Sequence, residues 1–386
     1  MPNSRNVLIS GASIAGPALA YWLQRNGLRP TVVERAPAPR PGGNGVDLRG
    51  ASIGIAERMG ILPTLRARAT DIRDLVFVDA AGDIAATIPT SSFNAPGDLE
   101  IRRGDLSEAL HAATGDVEYR YDDTVNSLTQ QPDGVAVTFG SGREEMYDLV
   151  VGADGLHSRV RNLAVIPEAE ATHHLGYYFA VGEVEPDFTA PGAVTLYNEP
   201  GRAAGVYRSA AHQDATAIFF FREPLALDFD HHDREAQIAL LRRYLDSDGW
   251  HVRELVDAAA ASAGFYLDAV SQIRIPHWTS GRVALVGDAG YCATLLSGAG
   301  ATLALEGAHR LAIELAATAD HRVAFARYEA AMRPIVTKRQ RATRVSGALL
   351  VPAARSHIRL RNRLAKLLTT EPIAAALFRQ SSSRAA

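Results

Sequence analysis

Residues 6–16 read NVLISGASIAG and decide the fold of this chain. The apolar run Val7–Ile9 predicts a short strand, Gly11 allows a sharp turn, and the residues from Ile14 onward carry apolar side chains at helical spacing. A second apolar run, Thr31–Glu34, ends in a carboxylate. The stretch therefore predicts a strand, a glycine turn, a helix and a second, parallel strand.

This βαβ pattern is typical of a dinucleotide-binding unit. The N–H groups at the helix start receive a pyrophosphate, and Gly16 lets the helix pack closely on the strand. Glu34 follows Gly11 by roughly twenty positions, where a carboxylate accepts hydrogen bonds from an adenosine ribose. The motif is GxSxxG, because Ser13 replaces a glycine. A glycine turn in an ordinary α/β unit is the alternative interpretation of this motif alone.

The composition is ordinary for a globular protein of one or two domains: 386 residues, 47% of them hydrophobic and 22% charged. A net charge of −3 gives no electrostatic argument for nucleic-acid binding. No apolar run approaches the roughly 20 residues of a membrane span. The single cysteine, Cys292, excludes an internal disulfide framework and a multi-cysteine metal site. We therefore expect a cytoplasmic monomer or weak homodimer without a metal.

The pattern changes twice along the chain. Four strand-like runs between about 172 and 222 predict a mostly antiparallel sheet, and the α/β pattern returns at Gly281–Asp288. We expect an α/β fold with a Rossmann-like domain, an inserted β-rich domain and a C-terminal helical segment. The predicted boundaries are 1–70, 95–165 and 276–320 for the Rossmann-like domain, 71–94 and 166–275 for the β-rich domain, and 321–386 for the C-terminal helices.

A basic helical stretch at 355–366 interleaves arginines with leucines. Such a helix either lies on a membrane surface or packs on its own protein with the basic face in water, and the second interpretation is favoured.

Two more glycine–acid pairs follow strand-like runs, Asp154-Gly155 and Gly287-Asp288. In this order, with the β-rich insertion between them, the three sites closely resemble the flavin-dependent aromatic hydroxylases. These are single-component FAD monooxygenases of the p-hydroxybenzoate hydroxylase type, and the nearest likeness is to tetracycline-inactivating and natural-product-tailoring members. The markers, which cover nearly the whole chain, are GASIAG at 11–16, GADGxxSxVR at 152–161, GRVxLVGDA at 281–289 and YExxMRP at 328–334.

The resemblance implies that the Rossmann-like domain binds FAD. Glu34 would hold the adenosine ribose, Asp288 would hold the ribityl hydroxyls, and the Gly298–Ala301 backbone would lie under the isoalloxazine. The residues implied to contact FAD are Gly11, Ser13, Ile14, Ala15, Glu34, Arg35, Asp47, Leu48, Arg103, Val125, Asp154, Asp288, Leu295, Gly298, Gly300 and Ala301.

The implied reaction has two halves. NADPH or NADH reduces FAD, and dioxygen then gives a C4a-hydroperoxyflavin that transfers one oxygen atom to an aromatic or polyketide-like, electron-rich small molecule. No catalytic acid or base is identified. The β-rich domain is expected to line the substrate pocket, and its candidate residues are Tyr197, Tyr207, Arg208, His212, Phe219 and Phe221.

Two residues depart from the family pattern: Tyr291 stands in place of a histidine, and Leu295 in place of a proline near the reactive edge of the flavin. One alternative is an FAD-dependent dehydrogenase or halogenase, although residues 274–278 lack the WxWxIP pattern of halogenases. Another is a flavin-binding or ligand-binding protein that sequesters its ligand without hydroxylating it, and the two departures favour that alternative.

Overall fold

A computed structural model describes residues 5–39, 42–185, 188–212, 215–230 and 233–368, with the side chains of 342–346, 367 and 368 left aside. Residues 369–386 of the predicted C-terminal segment lie outside this description. The chain divides into two compact units. The first unit is drawn from Met1–Ala69, Gly97–His173 and Ser271–Thr343, and the second from Thr70–Pro96, His174–Val270 and Arg344–Ala386. Residues 321–343 were predicted to belong with the C-terminal helices, whereas they fall in the first unit.

The strands are β1 (Asn6–Ser10), β2 (Arg29–Val33), β3 (Gly45–Leu48), β4 (Asp74–Val78), β5 (Ile84–Pro89), β6 (Leu99–Arg102), β7 (Glu118–Arg120), β8 (Val125–Gln130), β9 (Val135–Phe139), β10 (Glu144–Tyr147), β11 (Leu149–Gly152), β12 (Thr172–Val184), β13 (Ala193–Glu199), β14 (Arg202–Arg208), β15 (Ala215–Arg222), β16 (Tyr266–Ile273), β17 (Thr279–Ser280) and β18 (Val283–Leu285).

The helices are α1 (Ala15–Arg25), α2 (Ala51–Arg58), α3 (Leu62–Ala67), α4 (Arg103–Thr114), α5 (Arg159–Ala164), α6 (Glu168–Ala171), α7 (Arg234–Tyr244), α8 (Val252–Ala261), α9 (Asp288–Tyr291), α10 (Gly300–Ala317), α11 (His321–Leu350) and α12 (Arg355–Leu368).

The first unit is built on a sheet with the strand order β17-β18-β11-β1-β2-β7. Its neighbouring strands are parallel, except for the antiparallel β17 at one edge. Val7, Leu8 and Ile9 of the central strand β1 are fully buried, which explains why this strand reads as a continuous apolar run rather than an alternation. The predicted βαβ unit is confirmed, with α1 connecting β1 to β2.

The second unit contains most of a sheet with the order β16-β12-β15-β14-β13-β4-β5. Strand β13 pairs with β14 antiparallel and with β4 parallel, while β12, β15 and β14 pair antiparallel with one another. The predicted antiparallel character of the insertion is therefore confirmed. Helices α7 and α8 cover one face of the sheet. Gly182 lies against α8, where a Cβ would stand 2.7 Å from the Ala259 carbonyl oxygen.

The basic helix α12 packs on its own unit, as the favoured interpretation predicts. Arg355, Arg359 and Arg363 are exposed. Arg361, however, lies on the buried face, where its guanidinium carbon is 3.6 Å from the centroid of the Phe77 ring. One arginine of the basic set is therefore part of the packing. Among the described residues, no helix combines the length and apolarity that crossing a membrane requires.

Candidate functional site

The turn after β1 and the start of α1 leave no room for side chains at Gly11 and Gly16. Gly11 has a φ of +108°, and a Cβ there would stand 2.4 Å from the Ala153 carbonyl oxygen. A Cβ on Gly16 would stand 1.9 Å from the Gly11 carbonyl oxygen. Both distances are far inside van der Waals contact. The packing role predicted for Gly16 is confirmed, because the missing side chain lets the start of α1 pack directly against the turn at Gly11.

The start of α1 suits an anion. Ile14 and its described neighbours provide no side-chain cap, and the first turn holds no acidic residue, so the helix presents its N–H groups and positive dipole end. Arg103, the first residue of α4, places Nη1 3.4 Å from Ser13 Oγ. Ser107 Oγ donates to the Ser13 carbonyl at 3.0 Å and fixes this segment. The Arg103 guanidinium therefore lies beside Ser13 and the start of α1 at the buried Ala15. This arrangement fits a pyrophosphate.

The Glu34 carboxylate is oriented by backbone groups. Oε2 accepts from Ala12 N at 2.9 Å and Oε1 accepts from Ala36 N at 2.9 Å. A carboxylate has about four acceptor positions, so both oxygens can still accept from a ribose. The neighbouring Arg35 is exposed, and Val125 at the start of β8 is fully buried. Their contacts with FAD stay predictions.

Asp154 holds the start of α5. Its carboxylate accepts from Ser158 Oγ at 2.5 Å and from Val160 N at 3.1 Å, and Ser158 Oγ in turn accepts from Arg161 N at 3.0 Å. Burial raises the pKa of the Asp154 carboxyl, and these hydrogen bonds oppose the rise. This capping role is one that the glycine–acid pattern did not reveal.

The fully buried Arg161 links the loop after Asp154 to the segment that begins at Asp288. Its Nη2 donates to the Leu156 carbonyl at 2.8 Å, and its Nη1 donates to the Ala289 carbonyl at 3.0 Å. Burial lowers the pKa of Arg161, and the carboxylate of Glu168 opposes this. The second and third sequence motifs are thus tied to each other by one side chain.

Asp47 and Gly298, distant in sequence, lie side by side. A Cβ on Gly298, whose φ is +58°, would stand 2.6 Å from Asp47 Oδ2. The Asp47 carboxylate pairs with Arg49 at 2.9 Å. The backbone carbonyl of Asp47 accepts from Thr302 Oγ1 at 3.0 Å. Burial raises the pKa of Asp47 to about 6, with Arg49 opposing and Glu100 and Asp98 adding to the rise. The neighbouring Leu48 is fully buried beneath this contact.

The third motif presents an acid and an open helix start. Asp288 begins α9, is separated from the buried β18 by Val286 and Gly287, and is an exposed residue. Gly300 begins α10, and no described atom lies within 4 Å of the place where its Cβ would be. The first turn of α10 lacks an acidic residue, so this helix start favours negative charge. With the buried Ala301, it offers a surface on which a flat ring can lie.

The two departures from the family pattern differ in placement. Tyr291 is buried, its ring centroid is 4.5 Å from that of Trp278, and burial raises its pKa to about 12. Leu295 is 42% exposed and begins a single 3-10 turn that runs to Ser297. Leu295 therefore belongs to the open surface before Gly298, whereas Tyr291 belongs to the core.

Three of the six substrate candidates are core residues. Tyr197, Phe219 and Phe221 are buried in the cluster formed with Leu241 of α7 and Leu255 of α8. This placement corrects the expectation that they line a substrate pocket, because the face they occupy is covered by helices. The other three candidates, Tyr207, Arg208 and His212, are half-buried. Tyr207 and Arg208 lie at the end of β14, and Arg208 Nη1 donates to the Thr189 carbonyl. His212 lies beside Ser209.

A different aromatic pair lies on the opposite face of the same sheet. Phe179 of β12 and Phe220 of β15 are directly opposite each other in the strand register, and directly opposite residues share a face. The period-two alternation through Phe219, Phe220 and Phe221 is the signal that separates the two faces. Aromatic residue type alone does not.

These groups fit FAD on structural grounds. The uncapped start of α1 with Arg103 suits a pyrophosphate, the exposed Asp288 suits sugar hydroxyls, and the side-chain-free start of α10 suits a flat ring. Among the described residues, no cluster of three or more His, Cys, Asp or Glu side chains is arranged to hold a metal ion.

Comparison with known proteins agrees with this arrangement. The family model described as FAD binding domain matches residues 4–343. A flavin-dependent monooxygenase from an unknown prokaryotic organism is 37% identical over 342 residues, covering 88% of this chain and 89% of the relative. One from Legionella longbeachae is 36% identical over 345 residues, covering 88% of each.

The crystal structure of the tetracycline destructase Tet(55) superimposes with a TM-score of 0.83 at 36% identity, covering 95% of this chain and 96% of that one. At this identity over most of both chains, the protein is a member of the flavin-dependent monooxygenase family.

Proposed function

We propose that this monooxygenase uses NADPH or NADH and dioxygen to hydroxylate a planar, electron-rich small molecule, aromatic or polyketide-like. FAD, when bound, supplies the redox and oxygen chemistry, and the residues of the chain supply binding, orientation and exclusion of water. The observation that carries the proposal is the meeting of the uncapped α1 start with Ser13 and Arg103. The glycine fingerprint at 11–16 supports a dinucleotide site for FAD, and the nicotinamide cofactor would then bind transiently.

Each polar group near that site has a part in holding FAD. Arg103 and the first N–H groups of α1 would bind the pyrophosphate, and Glu34 would accept from the adenosine ribose. Asp288 would accept from the ribityl hydroxyls. The start of α10 would hold the isoalloxazine and favour negative charge on the reduced ring. Asp154 and Arg161 act indirectly, because they fix the backbone segments that carry these groups.

The substrate surface is the face of the β-rich sheet that carries Phe179 and Phe220. Phe179 is half-buried and Phe220 is 8% exposed, and a pair of aromatic rings offers flat apolar area that suits a planar ligand. The likeness to a tetracycline destructase at 36% identity supports a fused-ring substrate class. Tyr207, on the strand next to Phe220, adds a phenol with both apolar and hydrogen-bonding character.

The test is a screen of planar phenols and fused-ring polyketides against FAD-loaded protein with NADPH or NADH. A substrate should accelerate nicotinamide oxidation, and isotopically labelled dioxygen should place one labelled oxygen atom in the product. Oxidised product without the label would indicate a dehydrogenase. Peroxide alone, or ligand binding without nicotinamide oxidation, would indicate the sequestering alternative.

Neighbouring phenylalanines provide a matched pair of variants for the substrate surface. Phe220→Leu should raise KM for the identified substrate about ten-fold, as expected for one lost ring contact. Phe219→Leu should lower thermal stability and leave KM unchanged, because its ring belongs to the core under α7 and α8. An equal effect of both variants on KM would remove this face as the substrate surface.

A further inference from the structure

Thr294 adopts a backbone conformation that threonine rarely occupies. Its φ is +86° and its ψ is 150°, in a region that is almost exclusive to glycine. The residue is 3% exposed, and its hydroxyl is buried without a hydrogen-bond partner among the described residues. Three features of this residue each raise the free energy of the folded state: the β-branched side chain, the positive φ and the unpaired buried hydroxyl. Such strain persists only where the surrounding structure enforces it.

The enforcing contacts lie immediately before Thr294. The Cys292 carbonyl accepts from Ile273 N at 3.1 Å and from Gln340 Nε2 at 3.1 Å. The Ala293 carbonyl accepts from Gln272 Nε2 at 3.2 Å. These hydrogen bonds fix the two peptide units that lead into the strained residue, so Thr294 cannot relax by rotating the backbone on its N-terminal side.

The two glutamines are themselves locked. Gln340 Nε2 also donates to the Ile273 carbonyl at 2.8 Å, and Gln272 Nε2 also donates to the Gln340 carbonyl at 2.9 Å. Arg274 Nε donates to Gln272 Oε1 at 2.9 Å. A guanidinium only donates, so the Gln272 oxygen must face Arg274 and the amide nitrogen must face Ala293. The fully buried Gln272 therefore has a single usable orientation.

The strain is transmitted to the open surface. On the C-terminal side, Ser297 N donates to the Thr294 carbonyl at 3.1 Å, and Ser297 Oγ donates to it at 2.7 Å. Leu295 follows Thr294 and precedes Gly298, which touches Asp47. The conformation of Thr294 thus sets the direction of the Leu295 peptide at the edge of the surface assigned to the flavin ring.

We propose that Gln272 and Gln340 are positioning residues that hold Thr294 in its strained conformation and thereby fix the Leu295 peptide at the reactive edge of the flavin. The proposal rests on the proposed function, because that function places the ring on the start of α10. The two glutamines act through the backbone and touch neither cofactor nor substrate. The hydrogen bonds to the Cys292 and Ala293 carbonyls keep the turn from settling into several relaxed conformations.

The first experiment measures the strain in ligand-free protein. Thr294→Gly should raise the melting temperature by about 2–4 °C, since relief of strain outweighs the extra freedom that glycine gives the unfolded chain. Thr294→Val keeps the β-branch and the backbone strain. Its melting temperature should therefore stay below that of Thr294→Gly. A melting temperature of Thr294→Gly at or below the parent value would overturn the claim of strain.

The second experiment measures positioning. FAD-loaded protein is reduced anaerobically with dithionite, mixed with dioxygen, and followed by the return of flavin absorbance. Thr294→Gly, Gln272→Met and Gln340→Met should each change the reoxidation rate about ten-fold from the parent value, because misplacement of a group near the reacting atoms has effects of this order or larger. The FAD dissociation constant should stay at the parent value. Thr294→Val should reoxidise like the parent.

A double variant distinguishes this role from general loosening. If the glutamines act only by holding Thr294, then Gln272→Met should add nothing to the reoxidation rate of Thr294→Gly. Gln237→Met is the matched control, because Gln237 is a buried glutamine of the second unit whose Oε1 accepts from Leu267 N at 3.0 Å. It should lower stability without changing reoxidation.

The outcomes separate the inference from the proposed function. Parental reoxidation in Thr294→Gly, or additive effects in the double variant, would overturn the positioning role while FAD binding stands. Failure of the parent protein to bind FAD would overturn both the proposed function and the positioning role. The melting temperature of Thr294→Gly would still report on the strain.

Discussion

A Cβ on Gly307 would lie 1.8 Å from the hydroxyl oxygen of Tyr291, so the bare glycine on α10 provides the space that this buried phenol occupies. The Tyr291 and Tyr328 hydroxyl oxygens lie 3.1 Å apart, and Tyr328 donates to the Leu285 carbonyl at 2.9 Å. The tyrosine at position 291 is therefore accommodated by a glycine and a second tyrosine. Its phenol serves the core.

Gly307→Ala should lower the free energy of unfolding by about 1–3 kcal/mol, because the new methyl group overlaps the Tyr291 hydroxyl. The sign is diagnostic, since the same change at a roomy helix position stabilises by about 0.5–1 kcal/mol. Gly54→Ala on α2 is the control with room, its Cβ coming no closer than 3.7 Å to the Arg58 side chain. Urea unfolding measures both. Adding Tyr291→Phe to Gly307→Ala should recover part of the loss.

Asp47→Asn should stabilise ligand-free protein at neutral pH. The pKa of Asp47 is raised from 3.8 to about 6 by burial, so the folded state binds this proton more tightly than the unfolded state. The stability that protonation contributes is complete below about pH 4 and is lost as the pH rises through 6. The advantage of Asp47→Asn should therefore grow between pH 4 and 6 and level off at about 3 kcal/mol.

Urea unfolding of both proteins across that pH range checks this expectation. Glu57→Gln, at an exposed position on α2, is the charge-matched control and should track the parent. An advantage of Asp47→Asn that is constant from pH 4 to 7 would show that the carboxyl is not the titrating group.

Asp288→Asn and Asp154→Asn should differ in kind. The Asp288 side chain is exposed at the site assigned to FAD, so its amide variant should weaken FAD binding by about 1–3 kcal/mol and leave the ligand-free melting temperature near the parent. Asp154 caps α5 through Ser158 and Val160, so its variant should lower that melting temperature. Fluorescence titration of FAD and thermal unfolding separate the two effects. Unchanged FAD affinity in Asp288→Asn would remove that residue from the site.

Arg361→Met should loosen α12. The guanidinium stacks on Phe77 and donates to Asn198 Oδ1 at 2.7 Å and to the Leu349 carbonyl at 3.0 Å, and a methionine leaves both acceptors unpaired. We expect a loss of about 1–3 kcal/mol and faster proteolysis within 355–368. Arg359→Met, at an exposed position on the same helix, should stay within about 0.5 kcal/mol of the parent. Equal proteolysis of both variants would contradict the anchoring role.

Local sequence signals predicted the main elements in their correct order. The apolar run Val7–Ile9, the glycines at 11 and 16 and the alternation in the β-rich insertion are local signals, because side-chain periodicity and backbone freedom act within a few residues. They predicted β1, α1 and the antiparallel strands. The resemblance carried by the three glycine–acid motifs named the family correctly.

Long-range packing sets which of the predicted residues share a site and which face of the sheet each side chain occupies. Asp47 meets Gly298 and Arg161 reaches Ala289 across long sequence separations, which no local pattern encodes. Phe219 and Phe221 face the core because α7 and α8 cover that side of the sheet, and residue type cannot reveal which side is covered. The backbone before Thr294 is held by Gln272, Gln340 and the N–H of Ile273, so its strained conformation follows from contacts that form when distant segments pack together.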